Sequence, residues 1–182
     1  MRKFVASVCI SAVSFLLSGA VCLTPAVSAH HQEDHPVKVM IMNTKGEQIG
    51  TAMLTQSQDT VRIHIEAKNL PPGIHGIHFH ETGKCEAPNF ASAGAHLNIQ
   101  NKQHGFNNPQ GFHTGDLPNI QVKADGTVVA DIESKVASLT HGAQSSLLKS
   151  GGTALVIHEK ADDYVTDPSG NSGDRIACGV IQ

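Results

Sequence analysis

Histidines at telling intervals dominate this chain. His78 and His80 stand two apart in Gly73-Ile-His-Gly-Ile-His-Phe-His80, His96 closes Ser92-Ala-Gly-Ala-His96, and His158 ends the apolar run Val156-Ile-His158. In an extended run a His-x-His pair presents both imidazoles on one face, roughly 6.5 to 7 Å apart, so both can reach one ion. Such a pair alone is weak, because exposed strand histidines are common. Four imidazoles together suit copper, which favours nitrogen ligands and tolerates tetragonal geometry. His104, His113 and Asp116 form a shorter-range group within 104–116. With His96 they make three imidazoles and one carboxylate, a closed tetrahedral set of the kind that holds a structural zinc. His96 is placed to serve both ions. A zinc hydrolase would need an open coordination position and a nearby base, and the closed set argues against both.

The elements that must position these residues read as strands. Val37, Val39 and Ile41 alternate with polar or flexible neighbours. Val61, Ile63 and Ile65 alternate with Arg62, His64 and Glu66, and 127–132 and 153–158 are read the same way, as half-buried strands. Turn signals separate them at Asn43-Thr-Lys-Gly46, Pro71-Pro-Gly73, Asp125-Gly126 and Lys149-Ser-Gly-Gly152. No helix-period segment follows the N-terminal region, so the residues alone predict an all-β sandwich or barrel. Residues 81–119 carry almost no strand pattern yet hold Cys85, His96, His104, His113 and Asp116. A stretch that long without strands is expected only where function orders it, and metal binding would. Residues 159–175 form a second loop directly after His158.

The N-terminus sets the compartment. Arg2 and Lys3 precede an apolar run from Phe4 to Leu23, and Ala26-Val-Ser-Ala29 supplies small residues at a cleavage point. This predicts a secretory signal peptide over 1–29, an export signal rather than a membrane anchor, since Ser7, Ser11, Ser14, Ser18 and Gly19 interrupt the run. Lipid attachment at Cys22 is the weaker reading, because Val21 stands where a small residue is needed. Residues 30–36 form a polar leader, and 37–182 a single domain. Cleavage leaves Cys85 and Cys178, and two cysteines in an exported chain suggest one disulfide rather than two free thiols. In the chain-entropy model, closing so long a loop stabilises by roughly 4 to 5 kcal/mol. The mature chain would lie in a periplasm, at a cell wall or in the medium, with no membrane association after signal removal. The formal charge of −3 becomes more negative once Arg2 and Lys3 are lost, and the chain has no tryptophan and one tyrosine. That composition excludes nucleic acid as a partner.

Five blocks, in order, carry a resemblance. They are Gly-Ile-His-Gly-Ile-His-Phe-His-Glu (73–81), Ser-Ala-Gly-Ala-His (92–96), His-Thr-Gly-Asp-Leu-Pro-Asn (113–119), Val-Ile-His-Glu-Lys-Ala-Asp-Asp (156–163) and Gly-Asn-Ser-Gly-Asp-Arg-Ile-Ala-Cys-Gly-Val-Ile (170–181). The chain resembles the bacterial-type copper/zinc superoxide dismutases from about Val37 to Gln182, and the short step from His80 to Cys85 is similar to the bacterial form. The resemblance implies an eight-stranded antiparallel Greek-key sandwich or barrel with long metal-binding and active-site loops. It implies copper on His78, His80, His96 and His158, and zinc on His96, His104, His113 and Asp116. Arg175 would sit beside the copper and guide the anion, with His96 also acting in catalysis. Asp162 would accept hydrogen bonds from His78 and His104, and Cys85 would pair with Cys178. The reaction implied is disproportionation of superoxide to dioxygen and hydrogen peroxide. The alternative is a non-enzymatic, extracytoplasmic copper-binding or buffering protein on the same fold; such relatives lack a copper ligand or the arginine. A homodimer is left open.

The chain departs from the family pattern at Ala95 and Leu97-Asn98-Ile99, and at Tyr164, Thr166 and Asp167 in a shortened loop. The remaining histidines are read blandly: His75 as packed beneath the site, His64 as a solvated strand residue, His141 as surface, and His30, His31 and His35 as leader residues rather than ligands.

Overall fold

Residues 36–182 are described by the computed structural model; the expected signal peptide and all but the last residue of the leader lie outside them. Nine strands follow in order: β1 Val37–Asn43, β2 Gln48–Ser57, β3 Thr60–Ala67, β4 Gly73–His75, β5 Ile77–His80, β6 Ile120–Val122, β7 Val128–Ser134, β8 Thr153–His158 and β9 Arg175–Ile181. The expectation was eight. β4 and β5 are separated by Gly76 alone and pair with different neighbours, β6 and β8. They are one strand of the expected eight, broken where it changes partner.

Seven strands hydrogen-bond in the order β5-β8-β9-β1-β2-β3-β7, all antiparallel, and β4 pairs with β6. The hairpin turn at 123–127, closed by Lys123 N–H to Thr127 O at 2.8 Å, carries β6 into β7. The sheet thus curls back on itself. The connections from β3 to β4 and from β7 to β8 reach strands that are not their hydrogen-bonded neighbours, which makes the topology a Greek key.

The core follows from alternation. In β3, Val61, Ile63, Ile65 and Ala67 are buried while Arg62 and Glu66 are exposed. β1 contributes Val39 and Ile41, and β9 contributes Ala177 and Ile181. The four turn signals fall at or between strand ends, and Gly46 and Gly126 take positive φ, where glycine avoids a Cβ clash. β2 was not anticipated. Its buried residues are Ile49, Ala52 and Leu54, so the period slips beside Gly50, where the β1–β2 register also shifts.

β8 differs from the expectation of a half-buried strand: all six of its residues are buried. Leu155 and Ile157 face the core. Ala154 and Val156 face outward, yet Phe90 and Ala93 cover them. Full burial of a phenylalanine contributes about 1.5 to 3 kcal/mol, so Phe90 anchors the loop firmly to the outer wall. The covering residues come from the stretch that lacks strand pattern, whose one helical element is a 3-10 turn at Ala91–Ala93. No helix among the described residues is long and apolar enough to cross a membrane.

Candidate metal centre

The site sits on the outside of the barrel wall, beneath that loop. In β5, Ile77 and Phe79 enter the core, so His78 and His80 must point the other way. β8 runs antiparallel beside β5 and ends in His158, whose N–H donates to Gly76 O at 2.8 Å. Loop 81–119 is clamped to β5 by a triangle of backbone hydrogen bonds. Leu97 N–H donates to Phe79 O at 2.8 Å, Gly115 N–H to Leu97 O at 2.7 Å, and Phe79 N–H to Gly115 O at 2.8 Å. These clamps set His96 opposite His80 and Asp116 opposite His78. Leu97, a departure from the family pattern, is buried in the core and fixes this crossing.

Three groups of side chains result, each with one ligand atom per residue and all those atoms within 4.8 Å of one another: His78, His80, His96 and His158; His96, His104, His113 and Asp116; and His78, His104 and Asp162. All are buried. His80 Nε2 and His158 Nε2 approach to 3.4 Å. Asp116 Oδ1 lies 2.9 Å from His104 Nδ1, 3.3 Å from His96 Nδ1 and 3.4 Å from His113 Nδ1. Asp116 Oδ2 accepts from the N–H groups of Gly105 and His113, which fixes the carboxylate.

Most outer ring nitrogens are held by an acceptor, and this decides which nitrogen faces inward. His80 Nδ1–H donates to Gly94 O at 3.0 Å and His158 Nδ1–H to Gly173 O at 3.3 Å. His78 Nε2–H donates to Asp162 Oδ2 at 2.8 Å and His104 Nε2–H to Asp162 Oδ1 at 3.0 Å. Asp162 is itself held by Asn119: Asp162 N–H donates to Asn119 Oδ1, and Asn119 Nδ2 donates to Asp162 O, both at 2.9 Å. Two buried nitrogens remain without any partner among the described residues, His78 Nδ1 and His96 Nε2. An unsatisfied buried polar atom costs about 1 to 3 kcal/mol, and both belong to the four-histidine group. A cation there would satisfy both, so the residues fit a metal.

Electrostatics keep the four-histidine group neutral. Burial pushes His80 down to about 2, and repulsion from Arg175 and from His96 and His158 whenever these are protonated pushes the same way against the Gly94 carbonyl. Burial likewise takes His158 to about 3 and His96 to about 4, the latter against the pull of Asp116. Neutral imidazoles have free lone pairs for a metal at physiological pH. In the second group burial again opposes charge, but Asp116 and Asp162 outweigh it and raise His104 to about 9. Burial would raise both carboxyls; hydrogen bonds from the histidines prevail and hold them well below the usual range.

Arg175 opens β9 opposite His158. Its guanidinium donates to Phe90 O at 2.8 Å and to Gly94 O at 2.7 Å, so it shares the Gly94 carbonyl with His80. It lines an open groove of about 820 Å³ with Thr44, Asn89, Ala95 and Asp174. Cys85 and Cys178 form a disulfide with Cα atoms 5.6 Å apart, tying this loop to β9 three residues from Arg175. Every candidate site residue is brought to this region.

His75 is buried, with ring hydrogen bonds to His158 O and Pro71 O. His141 is exposed. His64 is on the outer wall but paired, 2.7 Å from Asp131 and 3.2 Å from Glu66. His30, His31 and His35 lie outside the described residues. Asn119, Gly94 O and Gly173 O were not anticipated as supports. Asn119 lies in a quoted motif block, whereas a backbone carbonyl leaves no mark in a sequence.

The family model for copper/zinc superoxide dismutase (SODC) matches residues 48–181. A "Superoxide dismutase [Cu-Zn] 1" of Aquifex aeolicus is 50% identical over 143 residues, covering 78% of this chain and 85% of that protein. A "Superoxide dismutase [Cu-Zn] 2" of the same organism is 44% identical over 171 residues, covering 93% of this chain and 98% of that protein. The crystal structure of a SOD-like protein from Bacillus subtilis is similar with a TM-score of 0.76 at 44% identity, covering 80% of this chain and 97% of that one.

Proposed function

From the fact that the chain belongs to the copper/zinc superoxide dismutase family, we infer the roles of its individual residues. Its activity is the disproportionation of superoxide to dioxygen and hydrogen peroxide, with copper and zinc as cofactors. His78, His80, His96 and His158 are the copper ligands; His96, His104, His113 and Asp116 are the zinc ligands. The observation that carries this partition is the pair of orphaned nitrogens, His78 Nδ1 and His96 Nε2, in the four-histidine group. Three imidazoles and a carboxylate complete a closed set for zinc.

Bound copper supplies one-electron redox chemistry, and bound zinc a fixed charge on the second set. The chain does the rest. His96 uses Nδ1 toward the zinc set and Nε2 toward the copper set. When it is not engaged by the cation, Nε2 can hold a proton and hand it to the departing peroxide as a general acid, while solvent supplies the second. Arg175 attracts the small anion to a protein whose formal charge is −3, so local positive potential must oppose the global sign. The Phe90 and Gly94 carbonyls hold the guanidinium at the groove rather than letting it sweep through solvent. Asp162 couples the two sets by fixing one ligand of each.

The non-enzymatic reading is not favoured: the four copper-set histidines and Arg175 are all present and assembled. Residues 1–29 act as an export signal on this reading, 30–36 as a leader and 37–182 as the functional domain. The Cys85–Cys178 disulfide supports an oxidising destination, whether a periplasm, a cell wall or the medium. Purified mature chain should carry about one copper and one zinc and should remove superoxide rapidly after copper loading. Full occupancy of both metals without superoxide removal would overturn these roles.

A further inference from the structure

Of the ligand rings that use only one nitrogen toward a metal, His113 alone has an outer nitrogen, Nε2, that makes no hydrogen bond among the described residues. The equivalent atoms of His78, His80, His104 and His158 are all bonded. The carboxylate nearest His113 Nε2 is Asp167, at 3.8 Å. Asp167 comes from loop 159–175, and its Oδ1 also accepts the backbone N–H of His104 at 2.6 Å. One oxygen therefore faces two members of the same ligand set, the backbone of one and the ring of the other.

The surroundings hold that carboxylate in place. Loop 159–175 is latched to the 101–119 segment just before it, at Tyr164 and Val165. Asn107 N–H donates to Tyr164 O at 2.9 Å, Asn108 Nδ2 to Val165 O at 3.2 Å, and Asn119 N–H to Tyr164 Oη at 2.7 Å. Gly105 lets this happen, because a Cβ there would run into the Tyr164 carbonyl. Asp163 braces the turn through Val165 N–H at 2.9 Å and Thr166 N–H at 2.8 Å.

We propose that Asp167 is a positioning residue for the zinc set, orienting His113 through Nε2 and pinning His104 through its backbone. It does for the outer side of that set what Asp162 does for the inner side. An imidazole that gives Nδ1 to a metal must carry its proton on Nε2, which makes Nε2–H a donor with the Asp167 carboxylate 3.8 Å away. The side chain of Asp167 is 46% exposed, so its effect is smaller than that of the buried Asp162. The inference rests on His104 and His113 being zinc ligands.

The test compares Asp167→Ala, Asp167→Asn and His113→Ala in the full mature chain. Zinc retention is measured by chelator competition, and cobalt(II) replaces zinc as a spectroscopic reporter. Removing an orienting partner typically lowers metal affinity about 10- to 100-fold, and the half-exposed Asp167 belongs at the lower end, so about 10-fold is expected for Asp167→Ala. The cobalt(II) absorption bands should shift while copper content and the copper spectrum stay unchanged. Asp167→Asn keeps an oxygen for the His104 N–H, so it should lose less and recover part of the spectrum. Wild-type zinc retention and cobalt spectrum in Asp167→Ala, with His113→Ala clearly impaired, would overturn the role of Asp167 alone. Equal loss of copper and zinc in Asp167→Ala would also overturn it, by showing a general loop defect. Unimpaired zinc binding in His113→Ala would instead overturn the ligand assignment itself.

Discussion

The two ligand sets share His96 but are built in different ways. Three of the four histidines of the proposed copper set stand on strands, His78 and His80 on β5 and His158 at the end of β8, where the barrel ladder places them. All four zinc-set residues lie in the loop between β5 and β6. The barrel can present three members of the first set before any metal arrives, and the loop supplies the fourth, His96. The second depends on a loop held by a few clamps: the Phe79–Leu97–Gly115 triangle, the disulfide and the Asp162 carboxylate. A strand fixes direction cheaply because alternation is built into it. A loop must be fixed residue by residue, and part of that work falls to the metal.

Cutting the disulfide should have the largest effect on this contrast. Cys178→Ser should cost about 2 to 5 kcal/mol of stability by denaturant titration. It should also weaken activity, because the loop bearing Phe90 O and Gly94 O is then held to β9 only by the Arg175 hydrogen bonds and the packing of Phe90. An unchanged unfolding midpoint would show that Phe90 burial anchors the loop alone. Asp162→Asn comes next, since it touches both sets at once. Affinity for each metal should drop about 10- to 100-fold in chelator competition, and loss of only one metal would break the claimed coupling. Gly115→Ala sharpens the loop side of the comparison. Its Cβ would collide with the Phe79 carbonyl, so the clamp must open at a cost of about 1 to 3 kcal/mol. Zinc retention should suffer more than copper retention, and equal thermal midpoints for variant and parent would count against the clamp.

A pH dependence of the metal-free protein bears on the comparison least directly. Burial holds His80, His158 and His96 below 6.5, at about 2, 3 and 4, so the unfolded chain binds protons first as pH falls from 6.5. Stability should therefore decline on that side. His104, raised from 6.5 to about 9, acts oppositely: its contribution is complete below 6.5 and disappears as pH rises through about 9. Thermal midpoints of the metal-free chain should peak near pH 6.5 and drop toward both ends. A profile that climbs steadily with pH would contradict the assignment for His104.

The grouping of the histidines was legible because alternation and spacing speak directly about which way a side chain points. The β5 histidines needed only the knowledge that Ile77 and Phe79 face the core. β2 was hidden because Gly50 and the adjoining register shift break its apolar period. The complete burial of β8 could not be read from β8, since the residues that cover it, Phe90 and Ala93, belong to a loop without periodicity. The division of one strand at Gly76 was also hidden, because it reflects partners brought in by residues 120–122 and 153–158. Supports such as Gly94 O and Gly173 O belong to no residue type, so geometry alone finds them.

The most direct test of the partition is a crossed metal analysis of His158→Ala and His113→Ala, each measured for copper, zinc and superoxide removal. The expected result is that His158→Ala loses copper and turnover but keeps most of its zinc, while His113→Ala loses zinc and keeps most of its copper. Loss of both metals in equal measure in each variant would contradict two separately built sites joined at His96.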